Sequence, residues 1–259
     1  ALPISQGIYN KKLPLRWFFV LCYIHVMKLP YFFYQIASIG KAQITRTLPR
    51  RFWDRVEISE NNEPLIELQS TEKLMLQSFD LSSDMTTSFL LRKTVAEKLY
   101  EVSKSLSGGI KLCVIEGYRS IEKQQRAWDQ KYNVVKSEHP DWSDEQINHE
   151  VGLVVARPAG ITNHICGGAV DVMLVDQNNE PLDFGTEYAP SDESGRKKCP
   201  MLAGGLTDEQ KKNRKLLRDV MESSGFVWYP GEWWHYCYGD RMWAVYTGQK
   251  ECFYGPIDK

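Results

Sequence analysis

The sequence contains little histidine and lacks several patterns that would assign a function directly. It has five histidines in 259 residues, and it shows no Cys-x-x-Cys pair, internal repeat or low-complexity tract. Without a Cys-x-x-Cys pair, a structural zinc knuckle or a thioredoxin-type site is not expected. The net charge of −1 indicates no strongly basic surface, so nucleic acid is not expected as a partner.

Hydrophobic runs long enough to cross a membrane are also missing. Residues 1–54 are rich in apolar and aromatic side chains, but their uninterrupted apolar core covers only residues 17–24. A transmembrane helix needs about 20 such residues. We interpret residues 1–54 as an N-terminal arm and connector that packs on the main domain. A peripheral contact with a membrane, the cell envelope or a partner protein is the alternative, and a transmembrane helix is a third possibility.

The cysteines bear on the compartment, and they are scattered along the chain at Cys22, Cys113, Cys166, Cys199, Cys237 and Cys252. Their even number permits disulfides, but we expect most of them to be small buried apolar residues. Cys199 and Cys252 lie in polar sequence surroundings and are the disulfide candidates. The chain begins with Ala rather than Met, so we expect a processed protein that is periplasmic or secreted, with the cytoplasm as the alternative.

Residues 55–259 have the character of one globular domain with a sizeable core. Over the whole chain, 42% of the residues are hydrophobic and 25% are charged, which is ordinary for such domains. Apolar side chains near helical spacing, from Leu90 and Leu91 to Leu106, predict a helix that stops at Gly108-Gly109. Short apolar segments predict buried strands at residues 112–115 and 169–175.

Capping and turn signals complete the expected architecture. Ser120 is placed to cap a helix, and the segments SDEQ from Ser143 and TDEQ from Thr207 fit capping boxes. The segments FVWY and WWHYCY predict two strands joined by a Pro-Gly turn. Because helices and strands are mixed without a regular βαβ rhythm, we predict an α+β fold with a central, mainly antiparallel sheet and flanking helices.

The segment ITNHICGGAVDVML, residues 161–174, places a histidine and an aspartate on either side of two glycines. In a strand, Asp171 projects from an otherwise apolar sequence, and a buried carboxylate needs a partner. Gly167 and Gly168 allow the preceding backbone to fold back, which brings His164 beside Asp171. The two side chains then form either a hydrogen-bonded pair or two ligands of a metal ion.

A second segment, GEWWHYCYGD, residues 231–240, places Glu232 and His235 among aromatic side chains. As a third ligand, His235 would complete a His-Asp-His set, which leaves one position of a tetrahedral Zn²⁺ open to water. Zinc in such a site lowers the pKa of that water towards neutrality. Glu232 would then take the proton and pass it to the leaving amine. The alternative is an ion pair of Glu232 and His235 within a hairpin.

Arg119, in the segment EGYRS, follows a predicted buried strand. Its guanidinium could stabilise an oxyanion or hold a substrate carboxylate, with Glu116 as its orienting partner. An ordinary surface or salt-bridged arginine is the alternative. His164 and Asp171 also have ordinary structural interpretations, so the metal hypothesis depends on all of these residues taken together.

Taken together, these motifs resemble the signature of the LAS zinc peptidases, and most closely the bacterial D-alanyl-D-alanine dipeptidases of the vancomycin-resistance type. The elements of the resemblance are, in chain order, the Gly-Tyr-Arg that ends at Arg119, Thr162-x-His164-x-x-Gly167-x-Ala169-x-Asp171, and Glu232-x-x-His235. The likeness spans roughly residues 55–240. It implies that His164, Asp171 and His235 bind one Zn²⁺ in a cleft on the antiparallel sheet. It also implies that Glu232 is the catalytic base and that Arg119 stabilises the transition state.

The resemblance further implies zinc-dependent hydrolysis of D-alanyl-D-alanine or related short D-amino-acid peptides derived from peptidoglycan. Thr162 is a substrate-binding candidate, because it keeps the hydroxyl where the family usually has Ser. The family usually carries Gly-Thr/Ser-x-Phe-Asp, whose Asp helps to hold the substrate amino group. Here the segment is GTEYA, so Ala189 replaces that Asp, and Glu187 or Asp192 are the possible substitutes.

Three alternatives to strict dipeptidase action stay open. The protein could be a D,D-carboxypeptidase that acts on longer peptidoglycan stem peptides. It could also be a non-catalytic binding module that keeps the metal cleft. The third alternative is that residues 1–54 cover the cleft and hold the enzyme inactive.

Overall fold

The computed structural model describes residues 56–78, 89–153, 155, 157–158, 163–190 and 192–257. Residues 1–54 lie outside this part of the chain, so their interpretation as an arm and the domain boundary after residue 54 stay predictions. None of the described helices is long and apolar enough to cross a membrane.

The described helices are α1 (Lys93–Ser105), α2 (Ile121–Glu138), α3 (Asp144–Val151), α4 (Glu193–Lys198), α5 (Asp208–Ser223) and α6 (Arg241–Thr247). A 3₁₀ turn covers Asn163–Cys166. The described strands are β1 (Glu57–Ile58), β2 (Leu65–Glu67), β3 (Leu74–Leu76), β4 (Leu90–Arg92), β5 (Lys111–Glu116), β6 (Ala169–Val175), β7 (Val227–Trp228), β8 (His235–Cys237) and β9 (Glu251–Cys252).

Five of these strands form the central sheet, in the order β3-β5-β6-β8-β7. Strands β3 and β5 are parallel, and the other three neighbouring pairs are antiparallel. Two small pairs lie beside this sheet, β2 with β4 and β1 with β9. The prediction of an α+β fold with a mainly antiparallel central sheet is confirmed.

The main core lies around the two central strands. All seven residues of β6 are buried, which explains why this strand is apolar on both faces apart from Asp171. Helix α1 contacts β5, and helix α5 contacts both α1 and β6. Helices α2 and α3 bury a second, smaller cluster of their own, made by Trp128, Val135, Ile147 and Val151.

The helix starts agree with the capping signals in the sequence. The Ser120 side chain accepts a hydrogen bond from the Lys123 amide at the start of α2. Ser143 and Thr207 form capping boxes at the starts of α3 and α5. These side chains satisfy amide groups that have no partner within the helix, so they define where each helix begins.

The prediction that Leu90 and Leu91 belong to a helix is wrong. They lie in β4, which pairs in antiparallel fashion with β2, and the helix begins only at Lys93. Two adjacent apolar residues fit the edge of a helical pattern as well as a strand, so the pairing with β2 decides the structure. Leu91 is fully buried in that position.

The prediction of Cys199 and Cys252 as disulfide candidates is also wrong. The five cysteines in the described ranges are free and buried. Cys199 follows α4 and packs into the core, although its neighbours along the chain are polar. Burial raises the pKa of the Cys199 thiol to about 12 and that of Cys252 to about 11, so both stay protonated at neutral pH.

Candidate metal centre

Three neighbouring strands of the central sheet place polar side chains in one row. Glu116 on β5 lies opposite Asp171 on β6, and Asp171 lies opposite His235 on β8. Residues directly opposite each other in a sheet project from the same face. The strand register therefore brings these three buried residues together on one face of the sheet.

His164 reaches this row from the turn that precedes β6. The turn ends in Gly167, whose φ of 70° is a conformation that glycine adopts without steric cost. A side chain at Gly168 would place its Cβ 2.5 Å from the Tyr238 carbonyl oxygen. The His164 carbonyl oxygen accepts a hydrogen bond of 3.2 Å from the Arg119 amide. The two glycines therefore let the backbone reverse closely enough for His164 to lie beside Asp171, as predicted.

The donor atoms of His164, Asp171 and His235 form a compact triangle. Asp171 Oδ1 lies 2.9 Å from His235 Nδ1 and 3.4 Å from His164 Nε2, and the two histidine nitrogens are 3.2 Å apart. Ligands about 2.0–2.1 Å from a tetrahedral zinc ion are separated by about 3.3 Å. The spacing and the nitrogen and oxygen chemistry of this donor set fit one Zn²⁺.

Each member of the triangle is also held by a group outside it. His164 Nδ1 lies 2.7 Å from the Gly117 carbonyl oxygen, which can only accept, so Nδ1 carries the proton and Nε2 is free to bind metal. Asp171 Oδ2 accepts a hydrogen bond of 2.9 Å from the Tyr188 hydroxyl. His235 Nε2 lies 3.4 Å from the Asn163 amide group and 3.4 Å from Cys237 Sγ.

The charge balance at the centre depends on its burial. Burial alone would raise the pKa of Asp171, but His164 and His235 hold the pKa of that carboxyl well below its usual range. Burial likewise acts to lower the pKa of His235, and Asp171 raises it above the ordinary value. The aspartate is thus ionised at neutral pH, as a metal-binding carboxylate must be.

Glu232 lies in the turn between β7 and β8, where its side chain is half-buried. Burial raises the pKa of its carboxyl, the charge of Asp171 acts in the same direction, and His235, His164 and Arg119 oppose them. The charges of all three triangle residues therefore act on the pKa of Glu232. A carboxyl group with a raised pKa is suited to taking up and releasing a proton.

Arg119 follows β5 and is held in a fixed orientation. Glu116 accepts from its guanidinium through both carboxylate oxygens, and Gln124 accepts from Nη1 at 2.9 Å. Lys123 Nζ also contacts Glu116, at 3.1 Å. Burial acts to lower the pKa of Arg119, but Glu116 raises it above the ordinary value. Arg119 is therefore a salt-bridged cation. The negative charge of Asp171 also raises the pKa of Arg119.

The three substrate-binding candidates are less clearly tied to the centre. Thr162 lies outside the described residues. Glu187 is exposed, and the Asp192 carboxylate accepts the Gly195 amide as the cap of α4. Their roles in substrate binding stay predictions.

Tyr188 is a residue at the centre whose role was not predicted from the sequence. It belongs to the segment that departs from the family pattern, and its hydroxyl contacts the Asp171 carboxylate. The available signal was a tyrosine where the resemblance implies phenylalanine, because the additional hydroxyl of a buried tyrosine needs a partner.

Residues 81–254 match the model of the Peptidase M15 family, described as D-Ala-D-Ala dipeptidase. The chain belongs to this family. It is therefore a zinc metallopeptidase, and its cofactor is Zn²⁺. The resemblance to the LAS zinc peptidases is confirmed.

Members of this family from several bacteria are similar to the chain. The D-alanyl-D-alanine dipeptidase of Synechocystis sp. is 28% identical over 201 residues, which cover 66% of this chain and 80% of the relative. The D-alanyl-D-alanine dipeptidase of Enterococcus faecium is 27% identical over 155 residues, and the alignment covers 55% of this chain and 73% of the relative. The D-alanyl-D-alanine dipeptidase of Escherichia coli is 26% identical, and the alignment covers 60% of this chain and 72% of the relative.

Two solved structures are similar to the chain at lower identity. The vancomycin-resistance D,D-pentapeptidase VanY in complex with Zn(II) is 18% identical and has a TM-score of 0.40. The match covers 76% of this chain and 96% of the VanY chain. The LD-carboxypeptidase LdcB is 19% identical and has a TM-score of 0.42. The match covers 74% of this chain and 81% of the LdcB chain.

Proposed function

We propose that this M15 peptidase hydrolyses the peptide bond of D-alanyl-D-alanine and releases two molecules of D-alanine. His164, Asp171 and His235 hold the zinc ion, Glu232 is the general base, and Arg119 stabilises the transition state. The observation that supports this most directly is the triangle of donor atoms 2.9–3.4 Å apart. The family and the relatives named for the same dipeptide support the choice of substrate.

The zinc ion supplies Lewis acidity, since it lowers the pKa of water and polarises a carbonyl group. The Glu232 carboxylate takes the proton of the attacking water. It then gives that proton to the nitrogen of the C-terminal residue as the C–N bond breaks, so the amine leaves uncharged. The raised pKa of Glu232 suits it to both steps.

Arg119 acts on the charge that develops on the carbonyl oxygen. A preorganised cation at that position stabilises the tetrahedral transition state without reorientation during the reaction. Glu116 and Gln124 fix three of the guanidinium nitrogens. Glu116 carries one negative charge and also pairs with Lys123 at 3.1 Å, so it does not fully neutralise Arg119, which keeps part of its positive charge for the substrate.

A second candidate function is removal of the terminal D-alanine from longer stem peptides. The observation that favours it is Ala189, which follows Tyr188 and is exposed. Its methyl group cannot pair with the free ammonium group of a dipeptide. For the free dipeptide of the first candidate function, we propose Glu187, in the same segment, or Asp192 as the substitute that pairs with the ammonium group, and Thr162 as a further substrate-binding residue through its hydroxyl.

The experiment is a comparison of substrates with the purified zinc-loaded protein. Release of D-alanine is measured from D-Ala-D-Ala, from N-acetyl-D-Ala-D-Ala and from a stem pentapeptide. We expect kcat/KM to be highest for the free dipeptide. A higher value for the N-acetylated dipeptide or the pentapeptide would favour the second candidate. A protein that retains zinc but cleaves none of the three would contradict both.

A further inference from the structure

We propose that Tyr188 is a positioning residue for the metal, because its hydroxyl holds Asp171 as a ligand through a single oxygen. This inference rests on the proposed function only in that it takes His164, Asp171 and His235 as the zinc site. It concerns the affinity of that site rather than the reaction.

The two oxygens of Asp171 have different partners. Oδ1 faces His235 Nδ1 at 2.9 Å and His164 Nε2 at 3.4 Å. Oδ2 accepts from the Tyr188 hydroxyl at 2.9 Å. With Oδ2 occupied in this way, the carboxylate presents Oδ1 alone to the centre.

The hydrogen bond removes the main freedom that is left to Asp171. Strand β6 fixes its backbone between β5 and β8, but the carboxylate can still turn about its terminal bond, which has a broad torsional preference. A turn of that bond would present both oxygens to a metal ion or misplace Oδ1. Outer groups that prevent such movement typically contribute about 10–100-fold to metal affinity.

Tyr188 is held by a ring contact of its own and by the anchoring of the loop to which it belongs. Its ring meets the edge of Trp234 with the centroids 5.2 Å apart. At the start of the same loop, Phe184 stacks on Trp233 at 4.1 Å, and its carbonyl oxygen accepts Arg214 Nε at 2.7 Å. These contacts use the rings and the backbone, so they persist when only the hydroxyl of Tyr188 is removed.

The test is a zinc titration of the Tyr188→Phe variant. The dissociation constant for Zn²⁺ is measured on the metal-free protein in competition with a chromophoric chelator. We expect binding to weaken by about tenfold or more. Tyr100→Phe is the matched control, because that hydroxyl contacts the backbone of Gln69 and not the metal centre. We expect its zinc affinity to be unchanged.

Two further measurements separate positioning from a general loss of stability. The unfolding temperature of the metal-free Tyr188→Phe variant should stay close to that of the unaltered protein. In the Co²⁺-substituted variant, visible absorption should weaken as Asp171 becomes free to bind through both oxygens and the coordination number rises. An unchanged zinc dissociation constant would overturn the proposal.

The titration uses no peptide, so it is independent of the proposed reaction. A protein that binds zinc but does not cleave D-Ala-D-Ala would contradict the proposed function and leave the role of Tyr188 intact. Equal zinc affinity in the Tyr188→Phe and unaltered proteins, with normal peptide cleavage, would contradict the role of Tyr188 alone.

Discussion

Asp171 and His235 lie directly opposite each other in the antiparallel pair of β6 and β8, with 2.9 Å between Oδ1 and Nδ1. Two of the three donors of the proposed zinc site are therefore set by strand register. A slip of one residue in β8 would turn His235 to the other face of the sheet. The third donor, His164, depends on the glycine turn before β6. The geometry of the site is thus a property of the sheet and of this turn.

Replacement of Glu232 by Gln tests the general base. The amide cannot accept the proton of the attacking water, so we expect kcat to fall by about 10²–10⁴-fold while zinc content stays unchanged. Glu180→Gln is the control, because Glu180 is exposed in the turn after β6. Full activity of the Glu232→Gln variant would contradict the proposed role of Glu232 as the general base.

Replacement of Arg119 by Lys tests transition-state stabilisation. Lysine keeps the charge, but it cannot reproduce the planar group that bonds to Glu116 and Gln124. We expect kcat/KM to fall by about 10²–10³-fold with zinc still bound. Arg126→Lys, at an exposed position on α2, should have no effect. If the two variants were equally active, Arg119 would be only a structural ion-pair partner of Glu116.

Replacement of Gly168 by Ala tests the turn that delivers His164. The new Cβ would lie 2.5 Å from the Tyr238 carbonyl oxygen, so the backbone must shift. We expect a loss of about 1–3 kcal/mol in the free energy of unfolding, measured by urea denaturation, together with weaker zinc binding. Gly152→Ala should cost less, because its nearest contact is 3.2 Å. Equal losses at both positions would show that the close approach at Gly168 has no special cost.

Asp240 predicts a pH dependence of stability. Burial raises its pKa to about 6, although the Trp243 amide and the Cys237 thiol act in the opposite direction. The carboxyl of an unfolded chain has a pKa of about 3.9. Between these values the unfolded chain loses the proton while the folded protein keeps it. Asp240 therefore favours folding at acid pH, and this contribution is lost as the pH rises from about 4 through 6.

The Asp240→Asn variant tests that dependence. Asparagine keeps the cap on α6 and carries no charge. We expect the variant to be more stable than the unaltered protein at pH 7, by up to about 2–3 kcal/mol, with little difference at pH 4. Urea unfolding is measured for both proteins without zinc, so the difference between their curves reports on Asp240. A difference that does not change with pH would contradict the prediction.

Features that are encoded locally were predictable from the sequence. The capping side chains of α3 and α5 act within one helical turn, so their residue types identify the helix starts. The placement of His164 beside Asp171 followed from the two glycines and from the cost of a buried carboxylate. His235 and Glu232 required the family resemblance, because no local pattern shows that β8 pairs with β6.

Features that depend on distant packing were not predictable. Leu90 and Leu91 form a strand because β2, more than 20 residues earlier in the chain, pairs with them. Cys199 is buried because the segment after α4 folds against the core, although its sequence neighbours are polar. The contact of Tyr188 with Asp171 spans 17 positions and depends on how the loop after β6 returns to the sheet.

The most direct test of the account is the zinc content of the purified protein and of its Asp171→Ala variant, measured by inductively coupled plasma mass spectrometry beside D-alanine release. We predict one zinc ion per chain in the unaltered protein. Zinc and D-Ala-D-Ala cleavage should be lost together in the variant, while the fold is retained by circular dichroism. Stoichiometric zinc in a folded Asp171→Ala variant, or peptide cleavage that persists without zinc, would contradict the proposal that these three side chains form the catalytic metal centre.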